Sequence, residues 1–501
     1  MGSSKRIALG VFWTTLFNIV NAVYGFISVP LLIANYGKSN YGLIGLAVSV
    51  NVYLRLMDLG FNSTNVRFFS NWIAKKEYDS VNKLFKTSLS FYGVIGLINA
   101  IVLIVVALFA DSIFNVNAEE CIIVKNLLYI LAISAFISWF SSCFDQLIKA
   151  CEYVGWLQKI SLIPKISQMV ILVLTLCFHY EIETYYALTA FSMFIVIPFA
   201  VVKIRRVAPY VSFIPGFNYA VFKEILPYCV NIFSFGIFQF SINYLRPIFL
   251  GVRGSMESIA DYRVLNGIIS VVLMVGGSFM GVLLPSASKS VALNNQDAQS
   301  RIAYAGTKYI SIVICFCCFG IMSISNELLC LYVGEEYSYL TFWLNLWLVS
   351  TLALHNQAIS SLVLSGSNIK TITICTIISS IVGLVVCWFL IPSFGVGGTV
   401  IGYLVYCLLQ IIFYYVYYWP KKMNIDSRRV FFGSFAPFAF VGVLCAVIVR
   451  FLEMKIIMMP YWARTLLGGA TFACLYGLIV FFFLLKNDDR AFFASIIRKQ
   501  K

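Results

Sequence analysis

The sequence predicts an all-α membrane protein with about fourteen spanning helices. Three observations support this prediction: the hydrophobic composition, the length of the uncharged apolar stretches, and the distribution of positive charge between them. Hydrophobic residues make up 61% of the 501 positions and charged residues 11%, whereas a soluble globular protein carries about 25% charged residues. Stretches such as 89–110, 431–449 and 466–485 contain no charged residue. Each is long enough to cross a hydrocarbon layer of about 30 Å at about 1.5 Å per residue. The chain is therefore predicted to cross a membrane many times.

The first predicted span begins directly after the basic residues Lys5 and Arg6. Its apolar run reaches Ala34, which is too long for the core of a signal peptide, so we expect this helix to be retained as an anchor. The predicted spans, in chain order, are 7–34, 42–61, 88–110, 122–147, 158–179, 185–203, 225–250, 264–288, 309–332, 341–365, 371–391, 397–419, 431–450 and 464–485.

The sequence lacks the motifs of common enzymes. It contains no nucleophile elbow, P-loop or His-Glu-x-x-His motif, and neither His179 nor His355 has the spacing of a metal ligand. Cys315, Cys317 and Cys318 lie within a predicted span without a second pair, so we interpret them as small buried hydrophobic residues. The sequence thus predicts a protein that is not an enzyme, with no cofactor and no metal site.

Positive charge is distributed unevenly between the two sides of the predicted membrane. Alternate connections, together with both termini, carry 26 Lys and Arg residues, and the other connections carry 6. The positive-inside rule places the first set, and therefore both termini, in the cytoplasm. The net charge of +15 is then a signal of topology and a contact for anionic membrane lipids rather than a surface for nucleic acid.

The connection between the sixth and seventh spans is the predicted boundary between two lobes. It is basic at both ends, and Pro209 and Pro215 lie between. Two equivalent halves are a common way to build alternating access in transporters. The predicted organisation is an N-terminal lobe over 1–206 (six helices), a cytoplasmic linker over 207–224, a C-terminal lobe over 225–420 (six helices), and two additional helices with a basic cytoplasmic tail over 421–501.

The segment after the second span has an amphipathic pattern. Phe69, Trp72 and Ile73 share one face, and Lys75 and Lys76 lie beside them. Such a pattern is typical of a helix that lies in the membrane interface.

Polar residues inside the spans recur at helical spacing, which places each set on one side of its helix. Hydrogen bonds between helices explain the stripes of Ser and Thr. An intramembrane cation is a stronger indication of a functional site, because it usually faces protein or water rather than lipid. We interpret the polar faces as the wall of a hydrated, mainly cationic cavity that suits an anionic ligand. The candidate substrate-binding residues are Lys165, Arg246, Asn18, Asn21 and Asn243. A structural ion pair between Lys165 and Asp145 is the rival interpretation.

Two pairs of opposite charge are candidates for closing the lobes against each other. Arg55 and Asp58 lie three residues apart near the end of the second span, and Asp145 and Lys149 lie four apart on the fourth. Both spacings bring the partners to one helix face. These pairs could instead be structural ion pairs at the membrane interface.

Several segments resemble those of one known family. The residues 57–61 (Met-Asp-Leu-Gly-Phe), followed by Val66–Phe68, resemble the end of the second helix of bacterial polysaccharide transporters of the O-antigen flippase type. Ser365–Lys370 with the Ile-Pro-x-Phe-Gly-Val-x-Gly segment at 391–398, and Tyr262–Asn266 with Pro285, are similar to later segments of that family. The family belongs to the superfamily that also contains lipid II flippases and multidrug and toxic compound extrusion transporters.

The resemblance implies a fold and a function. The expected fold has two six-helix lobes around a central cavity, plus two further helices. The expected substrate is an oligosaccharide linked to undecaprenyl diphosphate, an O-antigen or capsule repeat unit, moved from the cytoplasmic to the periplasmic leaflet of a bacterial inner membrane. H⁺ or Na⁺ as coupling ion and a periplasmic-side polysaccharide polymerase are candidate partners. Lipid II is disfavoured, because that branch carries arginines on its first helix and 7–34 has none. A cation-coupled multidrug exporter is the alternative, and a scaffold for glycan assembly is a more distant one.

Overall fold

The computed structural model describes residues 3–365, 370–454, 458–485 and 490, and these residues form helices without any strand. The helices of the first half are α1 Ser3–Tyr36, α2 Lys38–Leu54, α3 Phe61–Ala74, α4 Tyr78–Leu108, α5 Ala110–Ile113, α6 Ala118–Ala150, α7 Val154–Phe178, α8 Ile182–Ser192, α9 Val196–Val207, α10 Tyr219–Tyr244 and α11 Arg246–Arg253. The second half contains α12 Met256–Ala292, α13 Gln296–Arg301, α14 Thr307–Ser323, α15 Ser325–Val333, α16 Thr341–Thr351, α17 Gln357–Ser365, α18 Lys370–Phe394, α19 Val396–Phe413, α20 Trp419–Lys422, α21 Ala436–Glu453 and α22 Tyr461–Ile479.

Eleven helices of the described chain are long and apolar enough to cross a membrane, or twelve if one bent pair is counted as a span. The prediction of a multi-pass, all-helical membrane protein is confirmed. The predicted span at 225–250 corresponds to α10, and the one at 341–365 to α16 and α17 with a short 3₁₀ helix, Leu352–Asn356, between them. The count of fourteen spans stays a prediction.

The bent pair replaces the second predicted span. Lys38–Asp58 and Phe61–Ala74 meet at an angle of 45°, because Leu59 and Gly60 both adopt left-handed backbone conformations, with φ of 50° and 80°. Glycine adopts this conformation without a steric penalty, whereas leucine rarely does. The Asp58 carboxylate accepts the backbone N–H of Asn62 and so satisfies one of the free donors at the start of α3.

The aromatic face of α3 is buried in protein rather than turned toward lipid, and the position of this helix at the membrane interface stays a prediction. Phe69 is 0% exposed and Trp72 is 5% exposed, because α3 packs against α4 and α6. Asn65 lies on the same helix and donates hydrogen bonds to Ser88 of α4 and Gln146 of α6. The aromatic residues that suggested contact with lipid instead fill the contact between these helices.

The chain forms two compact units, Met1–Arg263 with Ile391–Gly395, and Val264–Leu390 with Val396–Lys501. In the first unit, α4 packs along α6 and α1 along α7. The connection between α9 and α10 is held against α4, because Ser212 and Asn218 donate their backbone N–H groups to Asn82 and Thr87. The division into lobes of six, six and two helices stays a prediction.

In the second unit, the last two helices are joined to α15 by buried charge. Glu327 accepts hydrogen bonds from Arg450 of α21 at 2.9 Å and from Arg464 of α22 at 2.6 Å. Cys315 lies in an apolar cluster with Phe319 and aromatic residues of α21 and α22. Cys315 and Cys318 are fully buried, which confirms their interpretation as small buried hydrophobic residues, whereas Cys317 is half-buried.

Candidate functional site

Three adjoining hollows lie inside the first unit, and Arg55 and Ser138 line all three. The cationic hollow has a volume of about 490 Å³, and its lining includes Arg55, Lys165, Arg263, Asn21, Tyr24 and Tyr41. The amide hollow has a volume of about 160 Å³ and is lined by Asn51, Arg55, Asp58, Asn62, Ser138 and Ser142, with Ala135 and Trp139. The serine hollow has a volume of about 240 Å³ and includes Ser138, Ser141, Ser142, Ser161, Asp145 and Lys165.

The cationic hollow concentrates one sign of charge. Arg55 follows α2, Lys165 lies on α7 and Arg263 lies on α12, so three separate elements each contribute one cation. No Asp or Glu is among its lining residues, all of which belong to the described part of the chain. A cavity with several cations and no counter-charge attracts anions.

Lys165 reaches the hollow from α7, directly after Pro164. Its Nζ donates a hydrogen bond to Gln168 Oε1 at 3.1 Å and lies 5.1 Å from the centre of the Tyr24 ring. Both partners are neutral. The rival interpretation required an ion pair with Asp145, which lines the serine hollow beside Lys165 but forms no such pair within the described structure.

Arg263 lines the cationic hollow but is not among the site residues predicted from the sequence. The predicted span at 264–288 leaves Arg263 in the preceding connection, whereas α12 begins at Met256 and places Arg263 about two turns inside the helix. The guanidinium lies 4.5 Å from the centre of the Tyr41 ring. A Cβ atom at Gly45 would lie 2.6 Å from Arg263 Cδ, so only glycine leaves room for the arginine.

A pattern on α2 could have revealed this close approach. Gly42 and Gly45 are three residues apart, and a Cβ at either position would collide with α12 at Met256 or Arg263. Small residues at such spacing let helix backbones approach closely in membranes. Without the partner helix, however, the pattern does not indicate which side chain lies opposite.

Arg55 and Asp58 lie in a short 3₁₀ helix, Arg55–Asp58, and form no ion pair with each other in the part of the chain that the structure describes. Asp58 instead accepts hydrogen bonds at both oxygens, from the Tyr92 hydroxyl at 2.8 Å and from the Asn62 backbone N–H at 3.0 Å. Arg55 faces the three hollows. The two side chains therefore lie at one site, with separate contacts.

A buried chain of polar side chains continues from Asp58 into the protein. The Tyr92 hydroxyl accepts from Gln146 Nε2 at 2.6 Å, and Gln146 Oε1 accepts from Asn65 Nδ2 at 2.8 Å. Asn65 also donates to Ser88. All four residues beyond Asp58 are fully buried. This network fixes the position of the Asp58 carboxylate.

The other predicted site residues have different surroundings. Asn21 lines the cationic hollow, whereas Asn18 is exposed on α1 and lines none of the three. The Asn243 amide donates to the Gln239 carbonyl within its own helix. Lys149 lies outside the hollows and forms no ion pair with Asp145 within the described structure.

Arg246 is also outside the three hollows. It is 2% exposed, its Nε donates to the Ile242 carbonyl at 2.9 Å, and its guanidinium lies 5.3 Å from the centre of the Tyr262 ring. Arg246 and Lys165 belong to the same compact unit, and their assignment to opposite lobes stays a prediction.

Many spanning helices and a cation-lined hollow are features of a membrane transporter. The chain belongs to the polysaccharide biosynthesis protein family, whose profile matches residues 7–291. The resemblance to bacterial polysaccharide transporters is confirmed. The comparison with curated proteins finds no significant match.

Solved structures show the same fold. A lipid II flippase, MurJ, in an inward closed conformation has a TM-score of 0.71 at 13% identity, with 93% of this chain and 99% of that chain covered. An inward-facing multidrug resistance transporter of the MATE family has a TM-score of 0.58 at 14% identity, with 82% and 96% covered. The MATE multidrug transporter DinF-BH in complex with R6G has a TM-score of 0.59 at 15% identity, with 83% and 95% covered.

Proposed function

We propose that the protein is a flippase that moves an oligosaccharide linked to undecaprenyl diphosphate, an O-antigen or capsule repeat unit, across a bacterial inner membrane by alternating access. The observation that carries this proposal is the cationic hollow, where three cations face one cavity without a carboxylate among its lining residues. A diphosphate headgroup cannot enter hydrocarbon unaided. Cations in a cavity would compensate its charge during the passage.

The surroundings of the cations support phosphate binding. An ammonium group has three donors, and Lys165 uses one on Gln168 while its charge lies near the Tyr24 ring. Arg263 is held near the Tyr41 ring. Neutral aromatic faces position a cation without neutralising it. Lys165 and Arg263 therefore keep charge for a ligand with several anionic oxygens, and Arg55 lines the same hollow.

The direction of transport follows from the membrane potential. An inside-negative potential favours outward movement of an anion by about 2.3 kcal/mol per charge per 100 mV. With both termini in the cytoplasm, the substrate passes from the cytoplasmic to the periplasmic leaflet, where a polysaccharide polymerase would receive it. H⁺ or Na⁺ is the candidate coupling ion.

A cation-coupled multidrug exporter is the alternative function. Multidrug transporters share the fold, but a hollow with three cations disfavours positively charged compounds. Transport assays in proteoliposomes distinguish the two functions. A fluorescent lipid-linked oligosaccharide should become accessible to a quencher on the opposite leaflet only when the protein is present, and a cationic dye should not be moved. Dye transport without lipid movement would favour the exporter.

A further inference from the structure

The amide hollow differs from the cationic hollow in the chemistry of its lining. Asn51 and Asn62 contribute carboxamides, Ser138 a hydroxyl and Asp58 a carboxylate. In the structure as described, the two carboxamides and the Ser138 hydroxyl form no hydrogen bond with other protein groups. A carboxamide offers two donors and an acceptor, and a hydroxyl offers one donor and two acceptor positions. A ligand in this hollow is met by donors and acceptors together.

Apart from Arg55, which also lines the cationic hollow, this lining suits a diphosphate poorly, because phosphate oxygens only accept hydrogen bonds and the Asp58 carboxylate would repel them. A sugar hydroxyl, in contrast, both donates and accepts. Asp58 can receive such a hydroxyl, because each ionised carboxylate oxygen has about two acceptor positions and each already uses one, with Tyr92 and Asn62. The volume of about 160 Å³ leaves room for about one six-membered sugar ring.

The two hollows adjoin in the way that the proposed substrate requires. In a lipid-linked oligosaccharide the first sugar is bonded directly to the diphosphate, so their two sites must touch. Asn51, Arg55, Ala135 and Ser138 line both hollows. Arg55 thus lies at the boundary, where its guanidinium can meet the phosphate nearest the sugar.

We propose that the amide hollow is the subsite for the first sugar of the lipid-linked substrate, with the diphosphate in the cationic hollow. Asn51, Asn62, Ser138 and Asp58 bind the sugar hydroxyls. Tyr92 and Gln146 are positioning residues, because their buried hydrogen bonds hold Asp58 in place before the sugar arrives. This inference rests on the proposed function.

The test compares lipids that differ by one sugar. The full-length protein in nanodiscs is titrated with undecaprenol, with undecaprenyl diphosphate, and with undecaprenyl diphosphate that carries a single glucose, galactose, N-acetylglucosamine or N-acetylgalactosamine. The wild-type protein should bind at least one of the glycosylated lipids about tenfold more tightly than undecaprenyl diphosphate, the gain expected of one or two net hydrogen bonds.

Substitutions then assign that preference to the amide hollow. Asn51→Ala and Asn62→Ala should both remove the tenfold preference. Asn62→Ala should also leave the affinity for undecaprenyl diphosphate unchanged, because Asn62 lines the amide hollow and neither of the other two. Lys165→Gln should weaken binding of every diphosphate lipid. Asn71→Ala is the matched control, because Asn71 lies exposed on the same helix as Asn62. The Asn71→Ala variant should prefer the glycosylated lipid over undecaprenyl diphosphate as strongly as the wild type does.

The possible failures are distinguishable. If undecaprenyl diphosphate binds no better than undecaprenol, the proposed function itself is overturned. If the diphosphate lipid binds well but no sugar adds affinity, or if both asparagine variants keep the preference, the sugar subsite is overturned and the flippase proposal stands. Both asparagines lie at a cavity surface, so we expect their variants to fold. Size-exclusion profiles that match the wild type check this.

Discussion

Lys165 is the residue whose charge matters most for the proposed binding of the diphosphate. A cation at the centre of a membrane helix costs about 2.5–3.5 kcal/mol on insertion scales. Among the residues that the structure describes, Lys165 is compensated only by neutral groups, Gln168 and Tyr24. Its replacement by a neutral residue should therefore not destabilise the protein, as the loss of a structural ion pair would.

We expect Lys165→Gln to lower the rate of lipid transport at least about tenfold, the effect of losing one charge-assisted contact of about 1.5–3 kcal/mol. Lys165→Arg should retain part of the rate, and membrane expression should be normal for both. Lys159→Gln is the control, because Lys159 is exposed on the same helix outside the hollows. Normal transport by Lys165→Gln, or loss of that variant from the membrane, would remove Lys165 from the substrate site.

Gly45 tests the contribution of Arg263 without removing its charge. A methyl group at position 45 would collide with Arg263 Cδ, so Gly45→Ala should displace the guanidinium and reduce transport severalfold, as Arg263→Gln should. The double variant should be no worse than the more affected single variant, because both changes act on one side chain. Gly93→Ala, where nothing lies within 4 Å, provides the comparison. Additive losses in the double variant would argue against this link.

Residues of this kind mark the limit of what the sequence can predict. Lys165 could be singled out because a lysine within an apolar span is costly wherever it lies. Arg263 could not, because its position near a predicted helix end is equally compatible with a loop. The uncharged Asn51 and Asn62 recur at helical spacing with Arg55 and Asp58, which predicts a polar face but not what that face binds. Gln146 carries no such signal, since its role depends on which helix lies opposite.

At the scale of elements, the break between α2 and α3 determines the geometry of the site. Leu59 and Gly60 end one helix and begin another, which leaves Arg55 and Asp58 beside the hollows rather than along a continuous span. Hydrophobic periodicity located the apolar residues of this region correctly but continued the helix to position 61. The left-handed conformation of Leu59 depends on its packed surroundings, and the sequence does not predict it.

The charge-reversal test distinguishes a pair from two separate contacts. Because Arg55 and Asp58 do not form an ion pair and Asp58 is bound to Tyr92 and Asn62, Arg55→Asp combined with Asp58→Arg should not restore the transport lost in either single variant. The measurement is transport in proteoliposomes at equal protein content. Recovery of most of the wild-type rate in the double variant would support the original prediction that the two act together in closing the lobes.

At the scale of the whole molecule, composition alone predicted the class correctly, because long uncharged stretches have few stable alternatives to membrane helices. The family followed from short segments such as 57–61 and 391–398 and is confirmed by the match over 7–291. The close packing of α11 and the start of α12 with the first unit was not predictable, because it depends on contacts such as the Lys38–Asp261 ion pair between distant positions.

The charge asymmetry of 26 to 6 predicts that both termini are cytoplasmic. A reporter that is active only in the periplasm should be active when fused after Lys455 and inactive when fused after Lys501. A cytoplasmic reporter at the same two positions should give the opposite pattern. Periplasmic activity at Lys501 would contradict the topology.

The measurement that tests the central claim most directly compares one oligosaccharide on two carriers, undecaprenyl diphosphate and uncharged undecaprenol, in the same proteoliposomes. We expect rapid protein-dependent movement between the leaflets for the diphosphate-linked oligosaccharide only, because we propose that Arg55, Lys165 and Arg263 bind the diphosphate. Lys165→Gln should bring that rate down toward the rate of the uncharged form. Equal rates for the two carriers in the wild-type protein would contradict the claim that the cationic hollow binds the diphosphate.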